Sequence, residues 1–251
     1  EGTRPLRLGT ASGDEVRVEG KVDRVDCYHG SDRDYIRVID YKTGGKKFDL
    51  SEVVQGLNMQ MLLYLFTLGE NGVADLPSPG EAGVLYMPGS GHFTRDRRDA
   101  SAESIAEDQR KSYCMSGMVL DNPEVIEAME LGTAGRYIPV SLKKDGSYTA
   151  ASSVITEEQL GLLRRQIAGN VVRMAELLHE GKIGAVPANR NGRLPCEYCD
   201  YRSVCGREAE YAQYAEAKAV LDACSISRQT LTEEKAEIYE QLEGGQLAWQ
   251  M

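Results

Sequence analysis

The chain has 251 residues, 41% of them hydrophobic, enough to bury one large core with or without a small appended lobe, and its composition does not mark it as disordered. It opens at Glu1 without a charged-then-apolar leader and holds no apolar run long enough to span a bilayer, so an excised, soluble, cytoplasmic fragment is expected. The formal charge of −10 speaks against a grip on nucleic acid built from this chain's own basic surface, unless bound cations or a second subunit supply the positive track.

In chain order, alternation from Val16 to Cys27 predicts a strand whose parity changes beside Asp23, where a bulge would re-aim the carboxylate. A second strand, Tyr35 to Lys42, places Ile36, Val38, Asp40 and Lys42 on one face and Tyr35, Ile39 and Tyr41 on the other. Gly44-Gly45 breaks it, and Lys46, Lys47 and Phe48 suggest a short returning strand. Val53 to Leu68 is apolar almost all round and predicts a helix packed on the sheet, with Gln60 and Tyr64 on one face. Ala82 to Met87 reads as another strand.

The remainder reads as mainly helical. A weak helical pattern covers Ala102 to Ser112, a further segment runs from about Pro123 to Leu131, and Tyr137 to Tyr148 reads as a strand or hairpin. Thr156 and Gln159 form a capping box for a long helix striped by Leu160, Leu163, Ile167, Val171, Met174 and Leu178 and stopped by Gly181. Helices are also expected near Arg207 to Ala223 and Thr232 to Leu242. This divides the chain into a core bearing the catalytic motifs at 1–95, a mainly helical remainder at 96–185 and a cysteine-bearing helical segment at 186–251.

Two carboxylates and a lysine converging from neighbouring strands are the minimum kit for metal-assisted phosphodiester hydrolysis: the acids hold a divalent cation and the ammonium offsets developing charge. Asp23, Asp40 and Lys42 supply that kit, and the backbone carbonyl of Tyr41 is a plausible third ligand for Mg2+ or Mn2+. Lys42 would either steady the attacking hydroxide or neutralise the pentavalent phosphate. Acid-x-Lys at a strand end is by itself usually a solvated edge. What raises the odds is the ordered set Gly20-Lys21-Val22-Asp23, Asp40-Tyr41-Lys42 and Gln60-Met61-Leu62-Leu63-Tyr64.

That set resembles the RecB-like branch of the PD-(D/E)xK nucleases, and within it the AddB/RexB family of helicase–nuclease B subunits, over nearly the whole chain. The resemblance implies a restriction-endonuclease-like α/β core, a mixed central sheet flanked by helices, followed by a helical C-terminal region carrying a cysteine cluster. It implies that Asp23 and Asp40 bind metal, that Lys42 is the catalytic lysine, and that Gln60 and Tyr64 orient DNA or the metal site. The implied activity is hydrolysis of single strands that an AddA-type helicase–nuclease partner delivers from unwound duplex ends during double-strand break repair.

Cys196, Cys199 and Cys205 place three thiols within ten residues, a spacing that suits a soft metal, and by composition zinc and iron–sulfur are nearly even. The resemblance points to a [4Fe-4S] cluster whose fourth cysteine lies before Glu1. Cys27, Cys114 and Cys224 read as ordinary thiols, and His29, His92 and His179 as solvated loop residues, with His29 the nearest in sequence to the acids. Lys21, Arg24, Lys46 and Lys47 could hold phosphates, while Thr94 to Asp99, mixed in sign, reads as a surface loop. Two other functions compete: a catalytically silent DNA-binding or subunit-docking module, and a zinc-stabilised interaction domain in which the aspartates are structural.

Overall fold

The computed structural model describes residues 4–43, 47–89, 101–182 and 194–205. Strands β1 (Leu6–Gly9) and β2 (Glu15–Val18) form an antiparallel hairpin of their own. The main sheet comprises β3 (Arg24–His29), β4 (Asp34–Lys42), β5 (Gly80–Pro88), β6 (Ser116–Leu120) and β7 (Val154–Ile155), in that spatial order. It is mixed: β3–β4 and β5–β6 are antiparallel, whereas β4–β5 and β6–β7 are parallel.

The crossover that makes β4 and β5 parallel is built from α1 (Leu50–Val54) and α2 (Gln60–Asn71). Asp49 caps α1 by accepting the backbone N–H groups of Ser51 and Glu52 at 3.0 and 3.4 Å. The single helix expected from Val53 to Leu68 is therefore two. Gly56 at φ 85° and Asn58 at φ 52° turn the chain between them, a conformation that a helix cannot include and that glycine and asparagine tolerate best.

Further along lie α3 (Ala102–Ser112), α4 (Pro123–Met129) and α5 (Glu157–His179). The expected Thr156–Gln159 capping box opens α5. Alternation sorts the strand side chains into two cores. Ile36, Val38, Val84 and Met118 meet Val53, Leu62, Leu65, Leu163 and Ile167 on one face of the sheet. Ile39, Leu85 and Val119 meet Ile126, Ile138 and Val140 on the other. The result is a mixed sheet flanked by helices, with the central strands β4 and β5 buried on both faces.

Three expectations about strands need correction. Val16 to Cys27 is not one strand with a bulge: β2 and β3 belong to different sheets, and the chain bends at Asp23 between them. The register irregularity falls instead between Ile36 and Arg37, opposite β5. Phe48 does not return as a strand, because its N–H donates to Ser116 Oγ at 2.8 Å across the sheet end. Tyr137 to Tyr148 forms no full strand and closes only a minimal hairpin through the antiparallel bridge Leu142–Tyr148, and β6 at Ser116–Leu120 was not foreseen. The helices expected after residue 206 and the Thr94 to Asp99 run lie outside the described residues.

Candidate active site

The predicted residues gather at the carboxyl end of β4. Asp40 and Lys42 project from the face that Ile36 and Val38 use to meet α2, as strand alternation requires. The Lys42 ammonium forms an ion pair with Asp40 Oδ2, and their side chains are 27% and 13% exposed. Oδ2 is enclosed against that ammonium and has no other hydrogen-bond partner among the described residues.

Asp23, at the bend before β3, is exposed and accepts the backbone N–H of Tyr41 at 3.2 Å. In a strand the N–H and carbonyl of one residue leave on the same side, so the Tyr41 carbonyl also points toward Asp23. Lys42 points its own carbonyl the other way, where Gly89 N–H donates to it at 2.8 Å. Asp23, the Tyr41 backbone and the Asp40–Lys42 pair therefore meet at one strand end.

The helix motif is joined to this end by packing. Gln60 Nε2 donates to the Tyr64 hydroxyl at 2.8 Å. A Cβ at Gly20 would lie within 2.6 Å of that hydroxyl, so only glycine lets the first motif lie against the tyrosine of the third.

Sequence reasoning missed Tyr86. It is the Cα partner of Asp40 on β5, and Lys42 Nζ lies 5.4 Å from its ring centroid, within reach of a cation–π contact. Burial pushes its phenol pKa up, and the carboxylates of Asp40 and Glu52 push it further. Its parity with Val84 was readable from the strand, but its position opposite Asp40 depends on a long-range register that no local pattern encodes.

His29 is not part of the site: it sits at the far end of β3 and pairs with Asp34 at 2.6 Å. Arg24 is committed to Asp26 at 2.6 Å and does not point a free guanidinium at the acids. Lys46 and His92 lie outside the described residues. Cys196 is half-buried, Cys199 and Cys205 are exposed, and among the described residues no three His, Cys, Asp or Glu side chains gather as a metal-binding group. No described helix is long and apolar enough to cross a membrane.

Residues 1–206 match the PD-(D/E)XK nuclease superfamily. The chain belongs to that superfamily. It is similar to the B subunits of bacterial ATP-dependent helicase/deoxyribonucleases: 35% identical over 207 residues to that of Clostridium perfringens, 31% over 209 to that of Caldanaerobacter subterraneus subsp. tengcongensis and 36% over 206 to that of Clostridium acetobutylicum. These alignments cover 80–82% of this chain but only 18% of each relative, so the chain spans under a fifth of the proteins it matches.

Proposed function

We propose that this chain is the metal-dependent DNA-cleaving domain, C-terminal in its parent, of a helicase–nuclease B subunit. On this reading it acts on single strands delivered by an AddA-type partner. The observation that carries it is the gathering at the end of β4 of Asp23, which accepts the Tyr41 N–H, and of Asp40, whose Oδ2 is enclosed against the Lys42 ammonium.

The donor set suits Mg2+ or Mn2+: Asp23 and Asp40 with the Tyr41 carbonyl would hold the ion, which would polarise the scissile phosphate and activate water. Lys42, steadied over the Tyr86 ring, is placed to offset charge on the phosphate or to hold the attacking hydroxide. Gln60 and Tyr64, locked together and against Gly20, position the DNA beside it.

Cys196, Cys199 and Cys205 are proposed as ligands of a structural [4Fe-4S] cluster with one further thiol from the parent protein, zinc being the alternative occupant. Iron and acid-labile sulfide measured on the full-length protein check this; zinc without iron would reject it. The nuclease reading is tested by cleavage of labelled single-stranded DNA with Mg2+ or Mn2+. Cleavage by the full-length protein that stops with EDTA and with Asp40→Ala supports it, and cleavage that persists in Asp40→Ala rejects it.

A further inference from the structure

A divalent cation entering beside Asp40 competes with the Lys42 ammonium for the same carboxylate and repels it. Lys42 is exposed to that competition, because its ion pair among the described residues is with Asp40. Its four-carbon stem is flexible and does not by itself fix where the charge comes to rest. The ammonium therefore needs a second seat that does not compete for the metal, and the face of an aromatic ring is one.

The Tyr86 ring meets that need. Lys42 Nζ lies over it, 5.4 Å from its centroid, inside the reach of about 6 Å for a cation–π contact. The ring is itself held. Tyr86 is 5% exposed and is the Cα partner of Asp40 on β4 and of Ser116 on β6, so it stands between the acid and the next strand. Phe48 packs against it with centroids 6.5 Å apart and planes tilted by 43°, within the range of favourable aromatic pairs. Phe48 is tethered in turn, its N–H donating to Ser116 Oγ at 2.8 Å, and the next residue, Asp49, caps α1. Ser116, Phe48 and Tyr86 thus form a row that reaches from β6 to the Lys42 ammonium.

We propose that Tyr86 is a positioning residue that holds the Lys42 ammonium on an uncharged ring face, so that Asp40 stays open to a divalent cation. This deepens the nuclease reading of the β4 end and rests on it. An aliphatic side chain in its place would leave the charge to Asp40, and the lysine would then obstruct the ion beside which it works. Phe48 and Ser116 act one step further back, by keeping the ring in place. The ring acts through Lys42 alone.

The test is Mn2+ titration of the full-length protein followed by electron paramagnetic resonance, with cleavage of labelled single-stranded DNA measured alongside. Tyr86→Leu is expected to weaken Mn2+ binding by about three- to thirtyfold, the range that a cation–π contact spans. Tyr86→Phe keeps the ring and is expected to stay within about threefold of the wild type. The deciding arm is Lys42→Met: with the ammonium gone, adding Tyr86→Leu should cost no further Mn2+ affinity. Equal losses with and without Lys42, the result for a ring that serves only packing, overturn the proposal. Unchanged binding in Tyr86→Leu also overturns it, as does a loss in Tyr86→Phe as large as that in Tyr86→Leu. If Tyr86→Leu does not melt cooperatively, Phe48→Leu takes its place in the same comparison, with a smaller loss expected and the same results decisive. In each of these cases Asp40-dependent cleavage by the wild type still stands, whereas a wild type that binds no Mn2+ overturns the nuclease reading along with the proposal.

Discussion

The two ends of the β4–β5 pair use the same residue types in opposite ways. At the amino end two acids each have their own guanidinium: Glu157 pairs with Arg33 and Glu81 with Arg164. Each guanidinium also lies over an aromatic ring, Arg33 at 5.0 Å from Tyr35 and Arg164 at 4.9 Å from Phe66. At the carboxyl end Lys42 pairs with Asp40 alone, and Asp23 accepts only a backbone N–H, that of Tyr41, among the described residues. Matched pairing makes the first end a clasp between α5 and the sheet. On the proposed reading the second end is the place that would bind a cation.

The sharpest way to break this contrast is to exchange its consequences. Asp40→Asn is expected to lower cleavage by about 10³-fold or more, since the loss of a metal ligand removes several kcal/mol of transition-state stabilisation. Its thermal midpoint should fall less than that of Glu81→Ala, because an amide oxygen at this position can still accept from the Lys42 ammonium. Glu81→Ala should do the reverse, lowering stability by about 1–3 kcal/mol in denaturant melts while cleavage persists, because it leaves Arg164 without its partner. A stability loss in Asp40→Asn equal to that in Glu81→Ala would erase the distinction.

Much of the carboxyl end was legible in sequence because its parts are local. The alternation that puts Asp40 and Lys42 with Ile36 and Val38 is a period-two pattern; at the other end the Thr156–Gln159 box was legible too, as a three-residue spacing. What escaped depends on contacts far apart in the chain. The Tyr86 partner of Asp40, the Asp26 bridge between Arg24 and Arg37, and the opposition of Gly20 to Tyr64 all require a register or a packing angle. The α1–α2 break was hidden for another reason: apolar residues run through it, and Gly56 and Asn58 signal a turn only once both are seen at positive φ.

A smaller effect follows from that packing. Gly20→Ala should push the Tyr64 ring aside, part it from Gln60 and reduce cleavage by about ten- to a hundredfold, as small misplacements near a reacting centre do. Unchanged kinetics in this variant would remove Gln60 and Tyr64 from the site.

The smallest expected effect separates carboxylates by pH. Burial raises the Glu81 pKa more than Arg164 lowers it, so the folded state binds this proton more tightly than the unfolded one. Stability relative to Glu81→Gln should therefore fall as pH rises from the ordinary glutamate pKa to the raised one, then level off. Glu130 is opposite. Burial would raise its pKa, but backbone N–H groups of Ala134, Arg136, Tyr137 and Ile138 donate to it at 2.8–3.1 Å and hold it low. Its contribution is full above the unfolded pKa and is lost as pH falls through the folded one, a difference that melts of Glu130→Gln across the acid range would show.

Manganese binding followed by electron paramagnetic resonance tests the central claim most directly. The full-length protein should show a bound ion that disappears in Asp40→Asn and persists in Glu81→Gln. An unchanged number of bound ions in Asp40→Asn would mean that the end of β4 holds no metal and that the cleaving centre lies elsewhere.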